Sequence, residues 1–243
     1  MADLDPDRVV ADAVLRSTRL LGAVQPTTQR IPVVLDPLVA RSVLSLWVAG
    51  LNGESVQKGR SMFADRLGER VAPEFVQLVE DPTNGDAPGA TPFDSEGAPT
   101  RRVDLITDGV LRAFLYNVTS ARRGGTVTTG SASGGGVGPR ATSLRPGTRD
   151  QAEIVASLPR AFYVQSVSGL HSGTSTVSGD FSVGAVGLMV RDGEFAEPVR
   201  EATIASTLPR MLLDLTEIGA DRDWMGAGGG MTLVIGEMTL SGS

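Results

Sequence analysis

Hydrophobic and polar positions along the chain follow two different periods, so the sequence predicts both helices and strands. The strongest helical pattern covers residues 37–51 and comes directly after a short apolar strand at residues 31–35. Asp36 suits the N-cap and Pro37 suits the first helical position. The residues on one face follow at i, i+3, i+4 and i+7: Leu44, Trp47, Val48 and Leu51. Most other positions are apolar as well, which predicts a helix buried on nearly all sides.

Four further helices are predicted from capping signals and apolar spacing, at residues 5–22, 61–67, 148–158 and 206–218. The first is expected to place three apolar side chains on one side: Val10, Val14 and Leu21. The third begins with Thr148 and Gln151, whose spacing is that of a capping box. In the last, apolar residues again recur at helical spacing and predict an inward face.

The predicted strands are short and separated by turns, and they cover residues 75–80, 102–106, 110–116, 161–167, 181–190, 194–197 and 231–239. Asp108-Gly109 and Asp192-Gly193 supply the positive φ values that hairpin turns need. Residues 124–138 are almost all Gly, Ser and Thr and predict a mobile loop. Because regular βαβ alternation is missing, the order favours an α+β fold, with a largely antiparallel or mixed β-sheet and several packed helices.

The amino-acid composition argues against several classes of function. The 243 residues are 41% hydrophobic, carry a net charge of −6 and include no cysteine, which excludes disulfides, thiolate metal sites and thiol catalysis. The acidic balance and the lack of a basic stripe argue against direct binding of nucleic acid. No apolar run approaches the ~18 residues of a membrane-spanning helix, and the N-terminus lacks a signal-peptide core. We therefore expect no membrane contact and a cytoplasmic location.

Few residues are candidates for a catalytic or cation-binding site. His171 is the only histidine and lies in a polar loop not far from Asp180, but the sequence offers no nucleophile elbow to complete a triad. A loop histidine that bonds to the backbone or lines a groove is the simpler interpretation. Asp94 and Glu96 could bind a hard cation, although two carboxylates so close in a turn are more often caps. The residues alone therefore show no catalytic set.

A series of short motifs runs in a fixed order from about residue 5 to residue 242. They lie at residues 57–61 (QKGRS), 67–69 (LGE), 93–97 (FDSEG), 99–102 (PTRR), 108–111 (DGVL), 120–123 (SARR), 178–182 (SGDFS), 198–199 (PV) and 203–205 (TIA). This series resembles the C-terminal domain of the PmbA/TldE branch of the TldD/PmbA family, whose members are also named modulators of DNA gyrase. The resemblance implies that residues 1–29 are an N-terminal helix and linker, a remnant of the family's N-terminal domain. Residues 30–243 would then form the TldD/PmbA-type C-terminal domain.

In the TldD branch, a His-Glu-x-x-x-His helix supplies two zinc ligands and a catalytic glutamate, and a cysteine near the C-terminus supplies a third ligand. The resemblance places that helix on residues 44–49, where Leu44, Ser45 and Ala49 replace the three functional residues. The cysteine region corresponds to residues 224–231, which contain no cysteine. The resemblance thus implies no catalytic residue, metal ligand or cofactor in this chain, with zinc expected in a TldD-type partner.

The resemblance favours one function and leaves two others open. The first is a non-catalytic subunit of a TldD/TldE-type zinc metalloprotease that acts on unfolded peptides, paired with a TldD-like subunit or with a second copy. His171 and Asp180 would then be peptide-binding or interface residues in the loop at residues 168–180. The alternatives are a self-sufficient peptidase that depends on His171, and a regulatory or binding module of the gyrase-modulator type without proteolysis.

Overall fold

A computed structural model describes residues 5–242, in which six helices and fourteen strands pack around a shared core. The helices are α1 (Pro6–Thr18), α2 (Pro37–Gly50), α3 (Gly53–Gln57), α4 (Val118–Arg123), α5 (Gln151–Ala156) and α6 (Leu208–Leu213). The strands are β1 (Gln29–Leu35), β2 (Leu78–Glu80), β3 (Val103–Thr107), β4 (Val110–Leu111), β5 (Ala132–Ser133), β6 (Gly136–Val137), β7 (Thr142–Leu144), β8 (Arg160–Ser168), β9 (Asp180–Arg191), β10 (Glu194–Thr207), β11 (Leu215–Ile218), β12 (Asp223–Met225), β13 (Gly228–Gly230) and β14 (Leu233–Gly242).

The largest sheet closes on itself like a barrel. Its strand order is β1-β8-β9-β10-β14-β11, and β1 also pairs with β14. The β1–β8 pair is parallel, whereas the other pairs are antiparallel. Closure removes most free strand edges. The α+β prediction with a mixed, largely antiparallel sheet is confirmed.

A second sheet lies beside the barrel, with strand order β12-β13-β7-β2-β3-β4. One hydrophobic cluster joins this sheet to the barrel and to α2, and it includes Leu35, Trp47, Leu78, Phe162 and Ile235. The Trp47 Nε1 donates a hydrogen bond of 2.9 Å to the carbonyl oxygen of Leu208, which ties α2 to α6. Helix α2 is therefore the element on which the two sheets meet.

The local signals around α2 and the two Asp-Gly turns are confirmed. The Asp36 side chain accepts a hydrogen bond of 3.0 Å from the Leu38 amide and caps α2. Asp108 and Asp192 both have positive φ values, 52° and 50°, as do the glycines that follow them. These features depend on residues only a few positions apart, so sequence spacing was sufficient to predict them.

The helix predicted at residues 206–218 is present but is only six residues long. Strand β10 continues to Thr207, α6 covers only Leu208–Leu213, and β11 follows at Leu215–Ile218. The Thr207 side chain accepts a hydrogen bond from the Arg210 amide and starts the short helix. β11 then pairs with β14, so tertiary pairing overrides the helical spacing of this segment.

Two other helical predictions need correction. The capping box of α5 is formed by Asp150 and Glu153, so Thr148 and Gln151 do not form it. Residues 61–67 form turns instead of a helix, and Asp65 has a φ of 61°, which interrupts a right-handed helix. In both places the pattern was compatible with several turn geometries.

Several strands differ in length from the prediction. The segments at residues 75–80 and 110–116 contribute only β2 and the two-residue β4. By contrast, the segment predicted at residues 194–197 extends into β10, because it pairs with β9 and then with β14. The final strand is displaced to Leu233–Gly242 for the same reason.

The glycine-rich segment at residues 124–138, predicted as a mobile loop, is folded back onto the domain. It contains the β5–β6 hairpin, and residues 129–132 are buried. The Asp94 carboxylate accepts a hydrogen bond of 3.0 Å from the Ala132 amide. A distant carboxylate thus anchors a segment whose own composition predicts little order.

Helix α1 ends at Thr18, four residues before the predicted end at Gly22. Val10, Val14 and Leu21 are 62%, 56% and 75% exposed, so the apolar side predicted for this helix does not face the core. None of the helices within residues 5–242 has the length and apolar composition needed to span a lipid bilayer.

Candidate functional site

Helix α2 carries an exposed stripe on the side opposite the core. Leu38, Ser45 and Ala49 are exposed, whereas Leu44 is only 2% exposed and belongs to the core. The expectation of a helix buried on nearly all sides is therefore wrong. Ser45 and Ala49, the positions that the resemblance assigns to the glutamate and one histidine of the TldD-type motif, lie one turn apart on this exposed face.

The hairpin β12–β13 lies against the same helix. Arg41, one turn before Ser45, donates a hydrogen bond of 3.1 Å from Nη1 to the carbonyl oxygen of Met225. A Cβ at Gly228 would lie 3.4 Å from the Arg41 Cγ, and one at Gly230 would overlap the carbonyl oxygen of Pro37. The absence of side chains on β13 therefore permits this close approach. The fold therefore places residues 224–231, which the resemblance matches to the cysteine region, against Pro37 and Arg41, in the turns of α2 that precede residues 44–49.

The residues at this place do not fit a zinc ion. Leu44 is apolar and buried, Ala49 has only a methyl group, and the Ser45 hydroxyl donates a hydrogen bond of 2.9 Å to the carbonyl oxygen of Arg41. Zinc needs about three convergent nitrogen, sulfur or carboxylate ligands. Within residues 5–242, no group of three or more such side chains is arranged to hold a metal ion.

The loop at residues 168–180 is fixed close to the C-terminal end of α2. The Met62 amide donates a hydrogen bond of 2.9 Å to the carbonyl oxygen of Thr176, and the Leu208 amide donates one of 2.6 Å to that of Gly179. A Cβ at Gly50, the last residue of α2, would lie 2.9 Å from the Met62 side chain. Met62 thus bridges the loop and the helix.

His171 and Asp180 lie at different ends of this loop, and both are exposed. Asp180 begins β9, and its Oδ2 accepts a hydrogen bond of 2.5 Å from the Ser178 hydroxyl. In the part of the chain that the structure describes, no hydrogen bond or ion pair joins His171 to Asp180. The geometry therefore gives no triad, and a role for either residue in binding peptide or a partner stays a prediction.

Close to this loop, strand β8 has a second strand partner along only part of its length. β1 pairs with β8 only from Phe162 to Val164, whereas β9 pairs with β8 as far as Ser168. Residues 166–168 of β8 consequently have a strand partner on one side only, just before the chain enters the loop. An edge of this kind can accept an extended peptide through backbone hydrogen bonds.

The carboxylates considered for a cation act as backbone acceptors. Asp94 accepts hydrogen bonds of 2.9 Å from the amides of Glu96 and Ala98, and Glu96 accepts one of 2.8 Å from the Val118 amide. The capping interpretation of this pair is therefore the one that fits the structure. These bonds hold the loop before β3 against α4.

Glu80, a carboxylate at the end of β2 that is only 1% exposed, is a candidate that no sequence motif indicates. Its Oε1 accepts hydrogen bonds of 2.6 Å and 3.2 Å from the amides of Arg140 and Ala141. Burial outweighs these bonds and raises the pKa of Glu80 to about 7. No local signal distinguishes this glutamate from the exposed ones, because its burial depends on a segment sixty residues away.

A second missed cluster joins α1 to the barrel. Asp36 is buried, and its Oδ2 lies 2.6 Å from both the Arg16 Nη1 and the Tyr163 hydroxyl. Arg16 also donates a hydrogen bond of 3.0 Å to the carbonyl oxygen of Gln165. Burial, followed by the nearby Asp36 charge, raises the pKa of Tyr163 to about 12, so this phenol stays protonated and donates. Asp36 therefore both caps α2 and anchors α1.

Comparison with known proteins gives concordant results. The family model of the PmbA/TldA metallopeptidase C-terminal domain matches residues 28–242. Metalloprotease PmbA of Escherichia coli O157:H7 is 32% identical over 222 residues, which cover 91% of this chain and 48% of that protein. A PmbA homolog of Haemophilus influenzae is 29% identical over 218 residues, covering 89% and 47%. The chain thus spans about half the length of these relatives.

Solved structures show the same fold. A protein from Thermotoga maritima, named as a modulator of a DNA gyrase, superposes with a TM-score of 0.95 at 28% identity, covering 99% of this chain and 56% of that one. TldE from Thermococcus kodakarensis superposes with a TM-score of 0.90 at 23% identity, covering 99% and 56%, which shows the fold alone. The family model matches nearly the whole of the described chain. The protein therefore belongs to the metalloprotease-related PmbA/TldD family and carries the C-terminal domain of that family.

Proposed function

We propose that this chain is a non-catalytic, TldE/PmbA-like subunit of a TldD/TldE-type zinc metalloprotease. The observation that carries the proposal is the exposed face of α2, where Ser45 and Ala49 stand at positions of the zinc motif and Leu44 is withdrawn into the core. A chain without these ligands would take part in zinc-dependent proteolysis only beside a partner that supplies the zinc. That partner is a TldD-like subunit, and the substrate is an unfolded or extended peptide in the cytoplasm.

The exposed surfaces around α2 suggest how the chain would assist cleavage by its partner. The stripe of Leu38, Ser45 and Ala49 provides a small, weakly polar surface that can face a peptide or the partner. Residues 166–168, which have a strand partner on one side only, would add an extended strand without demanding particular side chains. His171 and Asp180, exposed on the adjoining loop, would contact the peptide or the partner.

The decisive experiment compares cleavage of an unfolded peptide by four samples: this chain, a TldD-type partner, the mixture, and the mixture with a chelator. We expect only the mixture to cleave, and we expect the chelator to stop it. Cleavage by this chain alone, insensitive to chelator and lost in His171→Ala, would contradict the proposal and support a self-sufficient peptidase. Binding of a partner without cleavage in any sample would instead favour a regulatory module.

A further inference from the structure

A row of residues with short side chains crosses the face of the second sheet that points away from the core. In the strand register, Val79 of β2 lies between Asp104 of β3 and Ser143 of β7. Gly229 of β13 comes next, because Gly228 pairs with Thr142 in parallel, and a Cβ at Gly229 would lie 3.1 Å from the Ser143 Oγ. The neighbouring residues Leu78 and Leu144 face the core on the opposite side. The middle of this face is therefore a shallow depression.

Three arginines surround this depression. Arg102 precedes β3, Arg145 follows β7 and Arg222 precedes β12, and together with Val79 and Ser143 they line an open cleft of about 370 Å³. Pro146 closes one side. Three strand ends that are far apart in sequence thus place three arginine side chains around one small cavity.

Two of these cations lack a compensating carboxylate. Arg102 pairs with Asp104 at 2.8 Å and with Asp81 at 3.7 Å. Across the described range, 5–242, neither Arg145 nor Arg222 makes an ion pair, and the Arg222 guanidinium lies 5.3 Å from the centre of the Trp224 ring. The cleft is therefore lined by two arginines that have no ion-pair partner among residues 5–242 and by a third that is paired.

We propose that this arginine cleft binds a carboxylate group of a peptide. Planar guanidinium groups match a carboxylate through paired hydrogen bonds. The cavity has room for one or two side chains, since known ligand sites begin at roughly 300 Å³. Asp81 and Asp104 at the rim, and the acidic chain as a whole, oppose a nucleic-acid backbone, which needs an extended basic surface. This binding would be a property of the chain itself, independent of any role in proteolysis.

The carboxylate can come from an acidic side chain or from the C-terminus of a peptide, and three fluorescent peptides distinguish these sources. The first has Asp and Glu residues and blocked termini, the second has Asn and Gln with a free C-terminus, and the third has Asn and Gln with blocked termini. Binding to the intact chain is followed by fluorescence anisotropy at low and high salt. We expect the first or the second peptide to bind, weakening with salt, and the third to remain unbound.

The double variant Arg145→Gln/Arg222→Gln should weaken this binding by about tenfold or more, the loss expected for one charge-assisted hydrogen bond. The single variant Arg145→Gln should lie between the double variant and the wild type. Arg122→Gln removes the same charge from an exposed position on α4 and should change the affinity by less than about twofold. Thermal unfolding of each variant verifies that the fold is retained.

Three results would overturn the proposal. The first is equal binding of all three peptides, and the second is an affinity that the double variant leaves unchanged. The third is binding of inorganic phosphate or of a short DNA duplex, lost in the double variant, while neither carboxylate peptide binds. That last result would assign the cleft to a phosphate-containing ligand.

Discussion

The Arg16 guanidinium lies 2.6 Å from the carboxylate of Asp36, the residue that caps α2 twenty positions further along the chain. The carboxylate is almost fully buried, whereas the arginine side chain is about one third exposed. This contact joins α1, whose apolar residues face outward, to α2, the helix on which the resemblance places the TldD-type zinc motif. The position of α1 on the domain therefore depends on polar contacts more than on hydrophobic packing.

Removing this arginine should destabilise the domain. Arg16→Ala leaves the buried Asp36 carboxylate with fewer partners, and we expect a loss of about 1–3 kcal/mol in the free energy of unfolding, measured by urea denaturation. Arg30→Ala is the matched control, because the Arg30–Glu237 pair is exposed at both ends and should contribute less than about 1 kcal/mol. Equal effects of the two variants would mean that Arg16 does not support Asp36.

Glu80 should make stability depend on pH in an unusual direction. Because burial raises its pKa to about 7 from an ordinary value of 4.5, the folded state favours the protonated form. Its contribution to stability is complete below pH 4.5 and is lost as the pH rises through 7, by about 3 kcal/mol at most. Glu80→Gln should remove this fall between pH 4.5 and pH 7 in urea denaturation series.

The glutamine retains one oxygen that can accept from the amides of Arg140 and Ala141, so this variant should fold. Glu74→Gln changes an exposed glutamate and should keep the wild-type pH profile. A variant at Glu80 whose stability still falls over the same range would assign the effect to another group.

Closure of the barrel should be sensitive to one glycine. A Cβ at Gly187 on β9 would overlap the carbonyl oxygen of Tyr163 on β8, and backbone on both sides leaves little room to move. Gly187→Ala should therefore cost roughly 1–3 kcal/mol, seen as a lower melting temperature. Gly85→Ala, at a glycine with open space around its Cβ position, should leave the melting temperature nearly unchanged.

The exposed stripe of α2 should matter for assisted cleavage but not for folding. Ala49→Arg adds a long cation at an exposed position, so the free energy of unfolding should change by less than about 0.5 kcal/mol. If this face lies against the peptide or the partner, cleavage by the mixture with a TldD-type subunit should fall severalfold. Ala90→Arg, at an exposed alanine in the loop after β2, should leave the cleavage rate unchanged. Equal rates for both variants would remove α2 from the proposed contact surface.

The sequence by itself determined the features that depend on near neighbours. Asp36 caps α2, Asp108 and Asp192 open hairpin turns, and the apolar spacing of α2 identifies its buried face. The resemblance of the sequence to the TldD/PmbA family implies the motif positions at Leu44, Ser45 and Ala49, because it assigns them by alignment of neighbouring motifs. In each case the interacting groups lie within a few residues, so the pattern contains the information.

Only the tertiary structure decided the rest. The pairing of β1 with β14 joins Gln29 to Leu240, and the pairing of β11 with β14 ends the predicted helix at residues 206–218 early. The same long-range packing buries Glu80, exposes one stripe of α2, places β13 beneath α2 and collects Arg102, Arg145 and Arg222 around one cleft. These relationships arise from strand pairing and burial between distant segments, and the free energy of such contacts is not encoded in any local window of the chain.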